Sequence, residues 1–215
     1  MKLLPRYSLR LILILTALAA IPSVIAHKRL EQQRVRNQQF TKQWQVIDEL
    51  KADASFGFDH YQTKVDSYEI ITNRVRFKSP PKLGEKTFPS EATEMSVDLE
   101  VRPDALELAA KLPFLDAIVL EGGYNVSEEQ CELLGQCERL RYVVIWGSCD
   151  LEGLEKILEA PKLQLVHANV KQGDLEAARQ LGKSKGVCMK LSAATPAELL
   201  RKPTDKEQQQ WQSVL

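Results

Sequence analysis

The order of apolar and polar residues shows one short pattern, Leu-x-x-Ile-x-Leu or a close variant, that returns four times. The copies begin at Leu115, Leu140, Leu163 and Gly186, so the intervals between them are 25, 23 and 23 residues. A turn and a helix-like segment follow each copy. One strand and one helix cannot bury both apolar faces alone, whereas stacked units form one continuous core. The pattern therefore predicts an α/β fold.

The spacing of the copies lies in the range of leucine-rich repeats. We predict a short leucine-rich-repeat-like solenoid, in which a right-handed array of parallel strands carries helices on its opposite side. Before the first copy, apolar residues alternate strictly from Met95 to Val101, which predicts a half-buried strand that enters the array. The predicted strands lie at about 95–101, 116–121, 141–146, 164–168 and 187–191.

Residues that favour helix N-termini recur in phase with the pattern. They are Asp104, Ser127, Asp150, Asp174 and Thr195. Ser127 and Gln130 have the spacing of a capping box. The first and last predicted helices cover residues 105–111 and 196–201, and a polar tail follows at 203–215.

Residues 1–26 contain an uncharged run, 11–26, with basic residues on both sides. As a helix this run would span about 24 Å, against about 30 Å for a hydrocarbon core, and the Arg10 side chain could extend to the interface. We predict a retained single-pass membrane anchor. A cleaved signal that ends at Ala26 stays an alternative. The basic flanks leave the orientation in the membrane open.

The segments between the anchor and the array are less regular. Residues 27–52 are polar and lack Gly and Pro, which predicts a juxtamembrane helix. From Phe40 onward, Phe40, Trp44 and Ile47 recur at helical spacing, so this face should pack on the next domain as an N-terminal cap. Residues 53–94 predict an irregular α/β cap, with short strands near 56–58, 68–70 and 75–77 and a loop at 79–93.

Charge and composition narrow the classes of function. Lys plus Arg and Asp plus Glu are equal at 29 each, which gives no electrostatic reason to expect a nucleic-acid partner. Residues 2–36, however, hold seven Lys or Arg against Glu31 alone, which indicates contact with a membrane surface. The four cysteines form no Cys-x-x-Cys pair, and Cys137 and Cys149 are predicted to be small buried residues.

The residues and their spacing contain no recognised catalytic pattern. The three histidines are scattered, and Gly122-Gly123 is better explained as a turn than as a phosphate loop. The carboxylates fall at predicted helix starts and on exposed helix faces. We therefore predict a protein that is not an enzyme, with no cofactor, metal or small-molecule substrate.

One face of the predicted strands is the candidate site. If the pattern residues point to the core, the residues between them point outward. The candidate partner-binding residues are Tyr142, Val144, Trp146, Leu165 and His167, with acidic residues Asp98, Glu100 and Glu121 to one side. Two alternatives remain open: the face is exposed, or the loop or the N-terminal helix covers it.

These features predict a membrane-tethered, non-catalytic module that binds another protein through this face. The alternative is a self-associating structural protein of the membrane surface, in which the basic helix at 27–52 mediates assembly. Neither the partner nor the oligomeric state follows from the residues.

The segment Tyr7-Ser8-Leu9-Arg10, the uncharged run after it, the Gln/Arg-rich helix and the short repeats resemble a bacterial family of small membrane-anchored leucine-rich-repeat-like proteins. The resemblance implies a scaffold without activity or cofactor. The chain departs from the general repeat at the position usually held by Asn or Cys, which is Gly123, Ser148 or Lys171 here. The usual side-chain ladder along that corner is therefore expected to be absent.

Overall fold

A computed structural model of the 215-residue chain describes residues 9–60, 73–78, 90–122 and 124–193, without the side chains of 9–20, 59 and 60. The chain divides into two compact units, residues 1–41 and 42–215. The long helix α1, Leu9–Lys51, contributes residues to both units.

In the first unit, α1 presents most of its described side chains to solvent. Every side chain from 21 to 38 is exposed. The large apolar side chains among them are Ile21, Val24, Ile25, Leu30 and Val35. Phe40 is buried, and the Arg36 guanidinium lies 5.6 Å from the centre of its ring.

The predicted anchor at residues 11–26 falls largely on side chains outside the described part of the chain. Among the described residues, no helix combines the length and the apolar character that crossing a membrane requires. The anchor stays a prediction.

In the second unit, the described residues form one seven-stranded sheet whose strands follow one another in sequence order. Neighbouring strands are parallel except β2 and β3, which are antiparallel. The strands are β1 (Phe56–His60), β2 (Asn73–Lys78), β3 (Glu91–Asp98), β4 (Ala117–Glu121), β5 (Tyr142–Ser148), β6 (Leu165–Val170) and β7 (Cys188–Ala193). The α/β class and the parallel pairing of β3 to β7 are confirmed.

One helix connects each pair of consecutive strands from β3 to β7. They are α2 (Ala105–Ala110), α3 (Glu128–Gly135), α4 (Leu151–Ile157) and α5 (Leu175–Lys185), the last preceded by a 3₁₀ turn at Gln172–Asp174. Their buried side chains, such as Leu106, Leu134 and Leu154, share one apolar core with Ile118 and Ile145 of the strands. The residues of the repeated pattern therefore form the interface between sheet and helices.

The strand that enters the array begins and ends earlier than predicted. β3 covers Glu91–Asp98, so residues 91–93 belong to a strand rather than to the predicted loop. The backbone turns after Asp98, whose carbonyl accepts from the N–H groups of Val101 and Arg102. Val101 is 52% exposed, which makes its predicted place in a half-buried strand wrong. Alternation alone did not reveal the turn, because Leu99 is still buried after the strand has ended.

Two of the five predicted helix caps are confirmed and two are wrong. Ser127 and Gln130 form a complete capping box on α3, and the Asp150 carboxylate accepts from the N–H group of Gly153 at 2.8 Å on α4. Asp104 and Asp174 make no side-chain cap. The Asp104 carboxylate instead forms an ion pair with the Arg102 guanidinium at 2.7 Å. The position of Asp104 before α2 does not predict this contact.

The end of α1 packs against the start of the sheet within the second unit. Val46, Ile47 and Leu50 are buried, as is Gln43, so the packed face is rotated from the predicted one. Trp44 is 37% exposed and stacks on Phe77 of β2 at 6.1 Å between ring centres. Packing of this helix on the next segment is confirmed, although a buried polar residue lies in its face.

Several predicted elements lie outside the described residues. These are the strand near 68–70, most of the loop at 79–93, the cap at Thr195, the helix at 196–201 and the tail at 203–215. The short strands near 56–58 and 75–77 are confirmed as β1 and β2.

Candidate binding face of the sheet

The register of the strands divides their side chains between two faces. Ile118, Val143 and Val166 are paired across β4, β5 and β6 and belong to the core shared with the helices. Along each strand, the residues that alternate with these core residues lie on the opposite side of the sheet. We call this side the candidate face. Its central row is formed by the paired residues Arg74, Ser96, Val119, Val144, His167 and Lys190.

A second row of paired residues runs beside this central row. It consists of Arg76, Glu94, Ala117, Tyr142, Leu165 and Cys188. Trp146 follows Val144 by two residues on β5 and lies on the same side of that strand. The fold thus brings the five predicted binding residues onto two adjacent strands.

The exposure of these five residues is uneven. Tyr142, Trp146 and Leu165 are half-buried, whereas Val144 and His167 are only 3% and 6% exposed. Val144 and His167 were predicted as contact residues, and their burial leaves little of either side chain accessible to a partner in this conformation. Val144 is paired with Val119 and His167, and His167 is paired with Val144 and Lys190 and also lies beside the Trp146 ring. The prediction treated every outward residue alike and missed this difference.

The imidazole of His167 is in an environment that favours its neutral form. Burial, and to a lesser extent the positive charge of Lys190, lower the pKa of His167 to about 4. The Trp146 ring lies 6.1 Å from the imidazole, with the two planes inclined by 49°. At neutral pH, His167 is therefore an uncharged aromatic side chain that lies beside the Trp146 indole.

Trp146 itself lies where the sheet is irregular. The pairing of β5 with β6 shifts between Val144 and Ser148, which is a bulge-like irregularity. The Asn169 amide donates to the carbonyl oxygens of Trp146 and Gly147, at 2.9 and 3.2 Å. These hydrogen bonds hold the backbone in place at the irregularity. The indole of Trp146 therefore extends from a backbone segment with a defined conformation.

The carboxyl ends of the strands carry a line of polar contacts that the sequence did not predict. Ser148 donates to the side-chain oxygen of Asn125 at 2.9 Å, and the Tyr124 hydroxyl accepts from the N–H group of Leu99 at 3.1 Å. A Cβ at Gly147 would stand 1.9 Å from the Tyr124 carbonyl oxygen, so this close approach requires glycine. The usual Asn or Cys ladder was expected to be absent here, and the described residues make individual contacts of other kinds at this corner. One contact uses a usual repeat position, Ser148, and the others use Tyr124 and Asn125, which lie one and two residues after such a position.

The charged end of the candidate face is mixed, and not acidic as predicted. Arg76 of β2 pairs with Glu94 at 2.9 Å, and Ser96 donates to the Glu121 carboxylate. Burial raises the pKa of Glu121, while the Ser96 hydrogen bond acts in the opposite direction. The arginines of β2 were missed, although their alternation with Val75 and Phe77 could have placed them on this face.

The candidate face thus combines a half-buried aromatic and aliphatic patch with an end of paired charges. No cluster of three or more potential metal-ligating side chains occurs among the residues that the structure describes. No protein family, curated protein or solved structure matches the chain. Function is therefore inferred from this face and from the sequence pattern.

Proposed function

We propose that this chain is a membrane-tethered, non-catalytic module that binds another protein through the candidate face of a degenerate leucine-rich-repeat-like array. The observation that carries the proposal is the patch of Tyr142, Trp146 and Leu165. All three side chains are half-buried on the side of the sheet away from the helices. Ala117, Val119 and Val144 add aliphatic surface to the same face, whose polar members include Arg74, Arg76, Glu94, Ser96 and Lys190.

The chemistry of the patch favours a protein partner. Aromatic residues within an apolar centre and a polar rim are typical of protein-binding hot spots. The Asn169 amide holds the Trp146 backbone at 2.9 Å, and the Arg141 guanidinium lies 5.3 Å from the centre of the Tyr142 ring. Side chains that are already positioned lose little conformational entropy on binding. Trp146 is the proposed anchor of the contact.

The repeat-like architecture is supported by contacts that recur from strand to strand. The Asp116 carbonyl accepts from Tyr142, the Arg141 carbonyl from Leu165, and the Gln164 carbonyl from Cys188, at 2.9–3.0 Å. Equivalent positions before each strand therefore make equivalent bonds. A regular stack of this kind presents a side-chain surface that spans several strands, which suits recognition of a macromolecule.

The tether is proposed from the uncharged run at 11–26 and the basic residues that flank it. His27, Lys28, Arg29, Arg34 and Arg36 are all exposed on α1. Cationic side chains next to a membrane are attracted to anionic headgroups, by about 1 kcal/mol each. The proposed arrangement holds the second unit near a membrane surface, where its partner would be a membrane or membrane-associated protein.

Site-specific photocrosslinking in native membranes tests the proposal. A photoreactive amino acid replaces Leu165 on the candidate face or, as the matched control, the exposed Glu155 on α4. We expect a discrete protein adduct from position 165 and none from position 155. Adding Trp146→Ala to the first chain should remove the adduct while its circular dichroism and melting temperature stay close to those of the parent.

Two outcomes would contradict the proposal. Equal adducts from positions 155 and 165 would show nonspecific proximity instead of a binding face. A Trp146→Ala chain that unfolds would identify Trp146 as a core residue, since truncating a buried Trp costs about 3–5 kcal/mol.

A second candidate function is self-association through α1. Its support is two exposed large apolar residues of the basic helix, Leu30 and Val35, in the first unit. Sizing by light scattering separates the two functions. A dimer formed by residues 27–215 but not by 40–215 would favour assembly through the helix, whereas monomers in both cases would favour the binding module.

A further inference from the structure

Two cysteine side chains meet in the core between neighbouring repeats. The sulfur atoms of Cys131 on α3 and Cys149 at the end of β5 lie 3.7 Å apart. Both residues are almost completely buried, at 0% and 1% exposure, and both are free thiols in this structure. The sulfurs are already in van der Waals contact, so bond formation at about 2.0 Å requires only a local movement.

The surrounding backbone brings the two sulfurs to the same point. A Cβ at Gly153 would stand 2.9 Å from the Cys131 sulfur and 3.0 Å from the Cys149 sulfur. The absence of a side chain there gives the sulfurs their common space. The N–H group of Cys131 donates to the Ser127 carbonyl at 3.0 Å, and that of Cys149 to the Asn169 carbonyl at 2.9 Å. Backbone hydrogen bonds thus hold Cys131 in α3 and Cys149 at the end of β5, and the two side chains meet between these elements.

We propose that Cys131 and Cys149 are a disulfide-forming pair that closes when the chain folds in an oxidising compartment. The bond would join α3 to the segment that starts α4. It would link positions 131 and 149, on either side of β5, into a closed loop. This goes beyond the proposed binding function, since it concerns the core and holds whether or not the candidate face binds a partner.

The reaction is a thiol–disulfide exchange with a small disulfide as the oxidant. The thiolate of one cysteine attacks a sulfur of the oxidant and releases one small thiolate, which leaves a mixed disulfide. The second cysteine thiolate attacks the protein sulfur of that mixed disulfide and releases the other small thiolate. The protein loses two protons and two electrons, and the oxidant leaves as two thiols.

The other two cysteines are placed differently. The Cys137 thiol donates to the Leu133 carbonyl oxygen at 3.4 Å, and burial raises the pKa of Cys137 to about 11. Cys188 is exposed on β7. In the folded, reduced protein, the hydrogen bond to the Cys131 sulfur and burial raise the pKa of the Cys149 thiol well above its usual range. The buried, reduced pair contains little thiolate. Thiol–disulfide exchange therefore takes place while the chain folds or when the core around the two cysteines opens locally.

Refolding the full-length chain from urea in a glutathione redox buffer tests the pair. After acid quenching and unfolding, the remaining thiols are alkylated and the disulfide is mapped by mass spectrometry. We expect two of the four cysteines to be alkylated and a single linkage between the peptides that carry Cys131 and Cys149. Four alkylated cysteines at every redox ratio, or a linkage that includes Cys137 or Cys188, would overturn the proposal.

Variants and stability provide the second measurement. Cys137→Ser should still lose two thiols on refolding, whereas Cys131→Ser should lose none within the monomer. The oxidised chain should unfold at a higher urea concentration than the same sample with reductant, because the bond restricts the unfolded chain. A lower midpoint for the oxidised chain would show that the native geometry opposes the bond. Mapping on the unaltered chain decides the matter even if Cys131→Ser fails to fold.

Discussion

Two parts of the second unit are held together in different ways. From β4 to β7, each strand repeats the contacts of the one before it, with paired apolar residues such as Ile118, Val143 and Val166. These residues are completely buried. Stability in this array is therefore distributed over many similar apolar contacts.

The part that precedes the array, from residue 42 to β3, depends on individual polar side chains. The buried Gln43 amide donates to the Ser90 carbonyl at 2.8 Å and accepts from the N–H group of Ala92 at 2.6 Å. The buried Asn73 side chain accepts from the N–H group of Asp98 at 2.9 Å. These contacts attach a helix and an antiparallel strand to the sheet at positions where no repeat supplies the pairing.

The difference shows which kind of contact a sequence reveals. The apolar pattern occurs several times in the sequence, and each copy predicts the same strand and helix. A polar contact such as that of Gln43 occurs once, and an isolated Gln in a polar helix carries no signal of burial. Loss of one apolar contact should therefore be costly through its cavity, and loss of one polar contact through the groups that it leaves buried and unpaired.

The largest expected effect is in the middle of the array. Leu140→Ala should lower the free energy of unfolding by roughly 2–5 kcal/mol, because the fully buried side chain has no solvent-exposed edge. The same truncation at the half-buried Leu165 should cost less than about 1 kcal/mol. Urea denaturation of the two variants measures both values. Similar costs would mean that the candidate face is packed as tightly as the core.

A somewhat smaller effect is expected in the preceding part. Gln43→Ala removes the partner of the Ala92 N–H and Ser90 carbonyl groups and should cost roughly 2–4 kcal/mol. Gln45→Ala, two residues along on the exposed side of the same helix, is the matched control and should cost below about 0.5 kcal/mol. Equal denaturation midpoints for the two variants would contradict the role given to Gln43.

The sequence was sufficient for the class of fold and for the order of the array strands. The periods of 25 and 23 residues fixed where β4 to β7 begin to within about one residue, since each period encodes the same strand, turn and helix. The antiparallel pairing of β2 with β3 was not predicted, because one pair of strands without a repeat gives no register. The turn after Asp98 was missed because Leu99, beyond the end of the strand, is still buried and continues the alternation.

The candidate face could be predicted only in part. Alternation correctly assigned Tyr142, Trp146 and Leu165 to one side of the sheet. It did not reveal that Val144 and His167 are buried there, because exposure depends on neighbours from other strands. The polar contacts of Asn125 and Asn169 were also missed. Both lie two residues from a usual repeat position, Gly123 for Asn125 and Lys171 for Asn169.

The burial of His167 leads to a pH-dependent prediction. Its pKa of about 4 is below the usual 6.5, so the folded state favours the neutral form. The resulting stability is present above pH 6.5 and is lost as the pH falls toward 4, by at most about 3 kcal/mol. His167→Gln should remove this part of the pH dependence. Urea denaturation of both chains between pH 4 and 7 measures the difference, and parallel curves would contradict a buried neutral imidazole.

The smallest expected effect concerns helix caps that look equivalent in the sequence. Asp150→Ala removes the 2.8 Å bond from the Gly153 N–H group and should cost about 1 kcal/mol. Asp174→Ala should cost no more than a few tenths of a kcal/mol, since Asp174 makes no side-chain cap on α5. Thermal or urea unfolding of the two variants at pH 7 distinguishes them, because both lose one carboxylate before a helix and differ in the hydrogen bond. A cost for Asp174→Ala that equals the cost for Asp150→Ala would show that the carboxylates act through their charge at the helix N-terminus and not through the geometry of the cap.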